Sequence, residues 1–520
     1  MMPTQTKSPT GRAGLAALTA GLVAAPAELE VSDVTLDSRA VGPGTLFLAC
    51  RGLGRHGAEF TAEALARGAS AVLYEPAPGA LECVQAGLRG LTRTSGSGSH
   101  QVFVAPVPHL SREAGAIADR FFGRPSRALK VAGITGTNGK TTCAWLLAQA
   151  LGRCRRPAGY MGTLGAGFPE ALDATEHTTS DAVTVHRRLA AMKGLGAQAV
   201  SMEVSSHALD QDRVGGVRFH TAAFTNLTRD HLDYHRTMAA YGEAKARLFS
   251  WPDLTVRVIN VDDEFGIWLA RQASPAQLVV TTRVAAAREP TSDARTVRAA
   301  RIETDISGLL IEVDSSWGAA KLEVPLIGAF NADNALTVLA VLLAWDIPLA
   351  EAAAALESCR AAPGRMEAFG GRGAAPLAIV DYAHTPDALA KALRAARLHC
   401  RGRLRVVFGC GGDRDPGKRP MMGQIAAELA DESIITDDNP RSEPPEQIVR
   451  QILRGVPGDA VSRVEHDRAQ AIKATLQRSG PQDVVLIAGK GHEEYQIYGK
   501  ERRAFSDQGV VRAALEAMRP

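Results

Sequence analysis

One stretch of the chain combines the residue types and the spacing that phosphate chemistry needs. Residues 129–142 read LKVAGITGTNGKTT. The apolar run Leu129–Ile134 predicts a strand, and a helical pattern from Thr141 to Leu151 follows a glycine-rich turn. A strand, a flexible loop and the start of a helix together present backbone N–H groups and the positive end of a helix dipole to phosphate.

The residues of this loop predict how a nucleotide is held. Gly136 and Gly139 let the backbone curl without the steric penalty of a Cβ. Lys140 is long enough to reach terminal phosphates, and the hydroxyl of Thr141 or Thr142 is suited to Mg²⁺. The strict P-loop spacing is missed, since a glycine lies six residues rather than five before Gly139. The alternative is a glycine-rich turn that happens to precede Lys-Thr; the strand and helix around it favour ATP binding.

A carboxylate at the end of another apolar strand is the next candidate. In SMEVSSHALDQDR, Glu203 follows the strand pattern Ala199–Val204 and precedes two serines and His207. A carboxylate at a strand end near a P-loop is a plausible Mg²⁺ ligand. The alternative on spacing alone is an ordinary exposed glutamate.

The stretch TNLTRDHLDYHRTMAAYGEAKARLF begins at Thr225 and clusters Asp230, His231, Asp233 and His235. These residue types suggest a transition-metal site, but their spacing fits no zinc signature. Polar loop residues that cap the following helix are the alternative. Lys245 falls in the middle of that helix, and the sequence alone predicts a solvated surface lysine.

Four polar motifs follow predicted strands in the last third of the chain. Any one of them is also explained as a capped surface turn. Four at strand ends in one domain indicate a site for a small zwitterionic or anionic substrate, since ligands of such sheets lie beyond the carboxyl ends of the strands. The motifs are DYAHTP (381–386), GCGGDRDPGKRP (409–420), DDNPR (437–441) and GKGHEEY (489–495).

The elements that position these residues predict an α/β protein of three domains. At 520 residues, and about 150 per domain, three domains are expected. Breaks at Arg124-Pro125 and at 360–367 divide the chain into a small α/β domain (1–127), a central P-loop domain with a mostly parallel sheet (128–362) and a Rossmann-like domain (363–520). Residues 276–326 lack a long helical pattern and predict an antiparallel patch.

Composition excludes several classes of function. The net charge of +3 and 22% charged residues give no reason to expect nucleic acid or a membrane surface as a partner. Seven scattered cysteines without CxxC spacing indicate a reducing compartment, no disulfide framework and no zinc site. No run of about 18–20 apolar residues predicts a membrane span. A leader followed by an Ala/Leu helix is expected around 13–27, and a flexible Gly/Ser insertion at 94–100.

Taken together in order, these motifs resemble one family, the Mur ligases, which form amide bonds with ATP during peptidoglycan precursor synthesis. The resemblance runs from about Val34 to Asp507. It is greatest to members that add diaminopimelate to UDP-N-acetylmuramoyl-L-alanyl-D-glutamate. The motifs that carry it are TLDSR, GTNGKTT, EVSSHALDQDR, NLTRDHLDYH, YGEAK, GRME, DYAHTPDAL, GGDRDPGKRP, DDNPR and GKGHE.

The resemblance implies a role for each matching residue. The catalytic residues are Lys140, Lys245, Glu203 and His231. The ATP-binding residues are Gly136, Thr137, Asn138, Gly139, Lys140, Thr141, Thr142, Asn334, Arg365 and Asp381. The UDP-substrate residues are Leu36, Ser38, His56, Gly57, Thr178, Thr179, Ser205, Gln211 and Arg213. The diaminopimelate residues are Arg414, Asp438, Asn439, Pro440, Arg441, Gly489 and Glu493. The Mg²⁺ ligands are Thr141, Glu203, His231 and Lys245, the last carried as a carbamate.

The resemblance also implies a cytoplasmic, monomeric enzyme whose substrates are ATP, the UDP-linked dipeptide and meso-diaminopimelate. The substrate carboxylate attacks the γ-phosphate, and the amino group then displaces phosphate from the acyl phosphate. Arg441 favours diaminopimelate over lysine, because a guanidinium binds the additional carboxylate bidentately. One departure is His177 in EHTTSD, where the family usually has Asn.

Three alternatives remain open on the sequence. A sister ligase, such as a folylpolyglutamate synthase, shares GTNGKT but is expected to lack DNPR and TLDSR. A non-catalytic homologue is expected to have lost Lys140, Glu203 or Lys245. A plain P-loop ATPase or kinase does not account for the motifs of the last domain.

Overall fold

The computed structural model describes residues 11–518 apart from Leu53, 95–101, 285–292, Arg372 and Ala374, and gives only the backbone of 90–94. The described chain forms two compact units. The first consists of residues up to Ala144, Arg155–Ile259 and Asp263–Leu278; the second consists of Trp145–Cys154, Asn260–Asp262 and the chain from Val279 onward. The predicted leader before residue 11 and the Gly/Ser insertion from residue 95 lie outside the described residues.

Short strands alternate with helices through the first half of the chain. The strands are β1 Ala13–Gly14, β2 Glu30–Val31, β3 Asp33–Thr35, β4 Thr45–Ala49, β5 Ala71–Tyr74, β6 Phe103–Pro106, β7 Lys130–Thr135, β8 Ala158–Gly162, β9 Gly165–Phe168, β10 Ala171–Asp173, β11 Ala199–Glu203, β12 Thr221–Phe224 and β13 Val256–Asn260. The helices are α1 Leu15–Leu18, α2 Thr61–Ala66, α3 Ala80–Thr94, α4 Leu110–Phe121, α5 Lys140–Arg153, α6 Ala182–Gly194, α7 Ser206–Asp210, α8 Leu232–His235, α9 Met238–Ala246 and α10 Glu264–Ala270. Single 3₁₀ turns lie at Ser38–Ala40, Gly57–Phe60, Pro125–Arg127 and Arg247–Ser250.

Two sheets of the first unit carry its candidate residues. The smaller sheet has the order β3-β4-β5-β6 with parallel strands and a hydrophobic cluster on each face. In the larger sheet, β8, β11, β7, β12 and β13 are neighbours in that order and parallel, while β9 and β10 continue the β8 edge antiparallel. The carboxyl ends of β7, β11 and β12 therefore meet at one edge of this sheet.

The second unit continues the alternation. Its strands are β14 Gln277–Thr282, β15 Arg295–Asp305, β16 Gly308–Ser315, β17 Gly318–Val324, β18 Glu367–Gly370, β19 Leu377–Asp381, β20 Leu404–Phe408, β21 Glu432–Ile435, β22 Ser462–Val464, β23 Val484–Ala488, β24 Tyr495–Tyr498 and β25 Glu501–Ala504. Its helices are α11 Phe330–Ala344, α12 Leu349–Glu357, α13 Pro386–Arg397, α14 Lys418–Leu429, α15 Pro445–Leu453, α16 Arg468–Gln477 and α17 Asp507–Glu516.

The last domain-sized part of this unit is built on the sheet β18-β19-β23-β20-β21-β22. All neighbours are parallel except the edge strand β18, and hydrophobic clusters cover both faces. The strands β19, β20, β21 and β23 end at the four polar motifs identified in the sequence. The prediction of a mixed α/β fold with parallel sheets is confirmed.

Local predictions differ from the structure in three places. The region 276–326 contains the antiparallel strands β15, β16 and β17, but β14 pairs with β15 in parallel, and the eleven-residue strand β15 was not predicted. The expected Ala/Leu helix near the beginning is limited to the four residues of α1, because a turn follows Leu18. The fifteen-residue helix α3 was also missed.

Candidate active site

The glycine-rich loop after β7 is shaped by its contacts with the loop after β12. Gly136 has φ +150°, and a Cβ added there would overlap the Thr225 hydroxyl. Thr225 Oγ1 donates to the Asn138 carbonyl at 2.6 Å, and the Asn138 N–H donates to Asn226 Oδ1 at 3.0 Å. The Thr137 N–H donates to the Asn226 carbonyl at 2.8 Å. Glycine is therefore required at 136, because the loop is packed against its neighbour.

Two lysine ammonium groups converge on this loop. Lys140 Nζ donates to the carbonyls of Gly136 and Thr137, each at 2.8 Å. Lys245 Nζ donates to the same Gly136 carbonyl at 2.8 Å, and its side chain lies over the Tyr241 ring. Lys245 is only 1% exposed, so the prediction of a solvated surface lysine is wrong. Helix α9 packs Lys245 inward, against the glycine-rich loop.

The burial of Lys245 changes its chemistry. Desolvation lowers the pKa of its amine to about 6, and the charge of Lys140 acts in the same direction. At neutral pH the amine is therefore mostly neutral. A neutral, buried amine is the form that combines with carbon dioxide, so the surroundings suit the carbamate that the family resemblance implies.

The carboxylate of Glu203 lies at the end of β11 and is 1% exposed, which excludes the exposed alternative. Glu203 Oε1 accepts hydrogen bonds from Tyr160 at 2.6 Å and from the Thr163 N–H at 2.9 Å. Its Oε2 accepts from Thr141 Oγ1 at 2.9 Å. The two oxygen ligands predicted for Mg²⁺, Thr141 and Glu203, are thus in direct contact. Thr142 lies one residue further along the first turn of α5.

The imidazoles of His231 and His235, after β12, pack with that of His207, after β11, in an aromatic cluster. His231 has φ +52° and packs at 4.9 Å from the His207 ring, and His235 accepts or donates at Ser206 Oγ. In the described part of the chain, no three His, Cys, Asp or Glu side chains converge as metal ligands. The transition-metal hypothesis is therefore not supported.

Five of the predicted UDP-substrate residues meet at the end of β11. Thr179 Oγ1 donates to the Glu203 carbonyl at 2.8 Å and accepts from the Ser205 N–H at 3.2 Å. Arg213 donates to the Thr179 carbonyl at 3.1 Å and to Gln211 Oε1 at 2.9 and 2.6 Å.

The fifth residue, Thr178, is within 3.1 Å of Thr163 through their hydroxyls. Thr163 in turn donates its N–H to Glu203. The structure therefore brings Thr178, Thr179, Ser205, Gln211 and Arg213 together next to the predicted cation ligand, as one connected polar surface.

The four predicted residues of the smaller sheet are held separately. Ser38 is buried and donates to Glu63 at 2.8 Å, and Leu36 packs on the core nearby. His56 Nδ1 accepts from the Ala58 N–H at 3.0 Å and so caps the next turn. Gly57 packs against the backbone of β4, where a Cβ would lie 2.8 Å from Ala49. Ser38 and Gly57 are each the first residue of a 3₁₀ turn.

In the second unit, three predicted ATP-binding residues contact neighbouring groups of the chain. Asp381 accepts from the N–H groups of Met366 at 2.8 Å and Ala383 at 2.9 Å, and burial raises its pKa. Arg365 lies over the Tyr382 ring. Asn334 donates to Asn331 at 2.7 Å within α11.

The predicted diaminopimelate residues come together around two turns. Arg441 has φ +53° and donates from Nη1 to the Gly412 carbonyl at 2.7 Å. A Cβ at Gly411 would lie 2.8 Å from Arg441 Nη1 and 3.7 Å from Arg414 Cγ, so both guanidinium side chains border this turn. Arg414 otherwise donates to the Asp413 carbonyl.

Acidic side chains follow in the same group of predicted diaminopimelate residues. Asn439 Nδ2 donates to Glu493 Oε2 at 3.1 Å. Gly489 has φ +120°, and a Cβ there would lie 2.6 Å from Asp438 Oδ2. Pro440 closes against Gly412, which has no room for a side chain. Cationic and anionic groups thus border one region, an arrangement suited to a zwitterion.

Models of one family match three parts of the chain: "Mur ligase family, catalytic domain" at 30–95, "Mur ligase middle domain" at 134–342 and "Mur ligase, glutamate ligase domain" at 364–491. A protein of Alkalilimnicola ehrlichii named UDP-N-acetylmuramoyl-L-alanyl-D-glutamate–2,6-diaminopimelate ligase is 47% identical over 93% of this chain and 95% of its own. The chain belongs to the Mur ligase family.

Another relative and two solved structures are consistent with this family assignment. A Pseudomonas aeruginosa protein of the same name is 44% identical over 94% of this chain and 96% of its own. A solved structure of a ligase of that name has a TM-score of 0.71 and 32% identity, covering 98% and 99% of the two chains. A MurF structure from Acinetobacter baumannii shares the fold with a TM-score of 0.63 at 19% identity, covering 93% and 97%.

Several residues that organise this Mur ligase site were not identified from the sequence. Tyr160 contacts Glu203 from a distant part of the sequence, which no spacing indicates. Tyr241 precedes Lys245 by one helical turn on α9, so this contact could have been expected from the i, i+4 spacing. Lys490 lies inside the motif GKGHEEY but was given no role. Arg468 is completely buried at the start of α16 in ordinary-looking sequence, whereas Arg419, which is completely buried at the start of α14, belongs to the predicted motif 409–420.

Proposed function

We propose that this Mur ligase uses ATP to join meso-diaminopimelate to UDP-N-acetylmuramoyl-L-alanyl-D-glutamate. The observation that carries the proposal is the convergence of Lys140 and Lys245 on the Gly136 carbonyl, together with the direct contact between Thr141 and Glu203. The names of relatives at 44–47% identity over nearly the whole chain support the choice of substrates.

We propose Mg²⁺ as the cofactor, held by Thr141, Glu203, His231 and Lys245 as a carbamate. The donor set fits, because a hydroxyl and a buried carboxylate already face each other and Mg²⁺ prefers oxygen ligands. A carbamate on Lys245 turns a mostly neutral amine into an anion, which attracts the metal. When bound, Mg²⁺ offsets the negative charge of the nucleotide phosphates.

The residues of the chain perform positioning and electrostatic work in this reaction. The loop 136–142, with Lys140 and its backbone N–H groups, holds the phosphates of ATP; Asn334, Arg365 and Asp381 are proposed to contact the rest of the nucleotide. An oxygen of the substrate carboxylate attacks the γ-phosphorus and ADP leaves. The amine then attacks the acyl carbon, phosphate leaves, and the amine loses a proton. Alignment of the reacting groups supplies much of the rate.

The other two substrates have separate proposed sites. Leu36, Ser38, His56 and Gly57 are proposed for the uridine end of the nucleotide-linked dipeptide. The polar surface at Thr178, Thr179, Ser205, Gln211 and Arg213 is proposed for its muramoyl-dipeptide end. His177 stands next to this surface in place of the usual Asn, so a contact there comes from an imidazole or from the backbone.

Arg414, Gly489, Glu493 and the run Asp438–Arg441 are proposed for diaminopimelate. Among the residues that the structure describes, the Arg441 guanidinium donates to the Gly412 carbonyl through Nη1 alone, so its remaining donors are suited to a carboxylate of the amino acid. Glu493 and Asp438 supply the opposite charge for an ammonium group.

We further propose that residues 1–127, 128–362 and 363–520 act as UDP-substrate, ATP and amino-acid domains; the three matched family segments fall within these bounds. Because ATP and a nucleotide-linked precursor are substrates, we place the reaction in the cytoplasm and expect a monomer that requires no nucleic acid. None of the helices in the described residues is long and apolar enough to cross a membrane.

The experiment that tests the proposal is an omission series. Phosphate release is measured with ATP, Mg²⁺, the UDP-linked dipeptide and meso-diaminopimelate, and then with each substrate left out in turn. We expect rapid release only with the complete set, and none from Lys140→Met. Release without the amino acid at the full rate would indicate a plain ATPase and contradict the proposal.

A further inference from the structure

Lys490 is a buried cation that the proposed reaction does not use directly. It follows β23 and lies between two glycines with positive φ, Gly489 at +120° and Gly491 at +53°. A Cβ at Gly491 would lie 2.7 Å from Tyr382 Cβ, so the backbone on this side is closely packed. The Lys490 side chain is completely buried. Its backbone is therefore fixed and its ammonium group points into the protein.

The ammonium group of Lys490 links the acidic groups of the proposed amino-acid site. Nζ donates to Asn439 Oδ1 and to Glu493 Oε2, each at 3.2 Å, and lies 3.6 Å from Asp438 Oδ1. Asn439 Nδ2 donates to the same Glu493 oxygen at 3.1 Å, and its Oδ1 also accepts from the Ile497 N–H at 3.0 Å. Lys490, Asn439 and Glu493 thus form a closed triangle of hydrogen bonds.

This triangle fixes the direction of Glu493. The bonds from Lys490 and Asn439 both use Oε2, and the side chain of Glu493 remains 19% exposed. The Oε2 atom of Glu493 is therefore held by buried donors, while the carboxylate is still partly exposed to solvent. The amide of Asn439 is only 3% exposed and engaged at both ends, which makes it a support for Glu493 more than a group that faces a substrate.

The charges around Lys490 do not cancel. Arg468 is bound bidentately by Asp507, both side chains are completely buried, and Arg468 also donates to the Ala488 carbonyl immediately before Gly489. Asp438, Glu493 and Asp507 are three carboxylates, against the two cations Lys490 and Arg468. One negative charge remains, which suits an incoming ammonium group. Without Lys490 two negative charges would remain among these groups, and Glu493 would lose one of its two hydrogen bonds.

We propose that Lys490 is a positioning residue that aims Glu493, through Asn439, at the ammonium group of the incoming amino acid. Lys490 itself contacts no substrate. The inference rests on the proposed function, since it concerns the amino acid that this function consumes. The competing explanation is that Lys490 only completes the packing of the fold.

The test is a set of variants assayed for each substrate separately. Removing one partner of a buried, hydrogen-bonded charge pair costs enough to raise KM about 30-fold or more. For Lys490→Met we expect that increase for meso-diaminopimelate, with KM for ATP and for the UDP-linked dipeptide changed less than about threefold. Lys490→Arg keeps the charge and is expected to recover much of the affinity. Lys473→Met is the matched control, because Lys473 is exposed on α16.

The outcomes separate the possibilities. Where Lys490→Met does not fold, Lys490→Gln keeps a donor for Asn439 without the charge, and the same selective rise in KM is expected. An unchanged KM for meso-diaminopimelate, or an equal rise in all three KM values, would overturn the positioning role. Wild-type protein that releases no phosphate with the complete substrate set would instead overturn the proposed function.

Discussion

At the scale of single residues, burial determines what Lys245 is able to do. The same amine on the surface would be a hydrated cation, whereas at 1% exposure its pKa falls to about 6. Lys140 is only half-buried, and its hydrogen bonds to two backbone carbonyls fix its position. Two lysines at one carbonyl thus have different properties.

Lys245→Met tests whether the buried amine takes part in the reaction. We expect kcat to fall about 100-fold or more, since removing one group that stabilises charge in a site typically has this effect. ADP binding, measured by calorimetry, should change much less. Lys193→Met, at an exposed position of α6, is the control and should keep full activity. A Lys245→Met variant with more than half the wild-type kcat would contradict the assignment.

Arg441→Met tests the selection of the amino acid. A site built around a polar group rejects an analogue lacking its partner by about 10⁴-fold. We expect the preference for diaminopimelate over L-lysine, taken as the ratio of kcat/KM values, to fall by about 100-fold or more in Arg441→Met. The exposed Arg454→Met serves as control. Unchanged selectivity would show that Arg441 does not bind the additional carboxylate of diaminopimelate.

At the scale of elements, the loop between β7 and α5 depends on its glycines. Gly136→Ala places a methyl group against Thr225 at φ +150°, whereas Gly152 of α5 has no neighbouring atom within 4 Å of an added Cβ. Strain of about 1–3 kcal/mol is expected to weaken ADP binding about tenfold or more in Gly136→Ala. Gly152→Ala should leave it unchanged and stabilise the fold by up to about 1 kcal/mol. Equal ADP affinity in both variants would contradict the account.

The turn that carries Arg414 is fastened to the segment after Arg441 by a buried guanidinium. Arg419 donates to both oxygens of Glu443 at 2.8 Å and to the Gly411 carbonyl at 3.0 Å. Glu443 also accepts from the Asp413 N–H at 2.6 Å. The hydrogen bonds from Arg419 lower the pKa of Glu443 to about 2.

This contact predicts a pH dependence of stability. A carboxylate whose pKa is lower in the folded state stabilises the fold above its ordinary pKa of 4.5 and loses that effect as the pH falls toward 2. Glu443→Gln is expected to lower the free energy of unfolding by about 2 kcal/mol at pH 7. The difference from wild type, followed by thermal unfolding, should shrink below pH 4.5. A difference that grows on acidification would contradict the assigned contact.

The sequence predicted the elements that carry their own local pattern. The P-loop strand and helix and the strand ending at Glu203 lie within one or two residues of their expected bounds. The exposure of Lys245 was predicted wrongly, because its burial depends on a contact with Gly136, which lies 109 positions earlier in the sequence. The supporting roles of Lys490 and Arg468 likewise arise only when separate segments meet.

At the scale of the whole molecule, each unit contains a distinct part of the proposed chemistry. The first unit holds the glycine-rich loop, Glu203 and Lys245; the second holds Arg441 and the buried charges around Lys490. In both, candidate residues follow the carboxyl ends of parallel strands. This placement is a general property of such sheets, whereas the reaction is determined by the side chains placed there.

The most direct test of the central claim is the mass of the product formed from the UDP-linked dipeptide, ATP and Mg²⁺ with either meso-diaminopimelate or L-lysine. We expect one diaminopimelate joined to the dipeptide through an amide bond, with one phosphate released per product, and little or no lysine adduct. Equal incorporation of both would keep the ligase and reject the role of Arg441. Absence of any tripeptide product would contradict the proposed function itself.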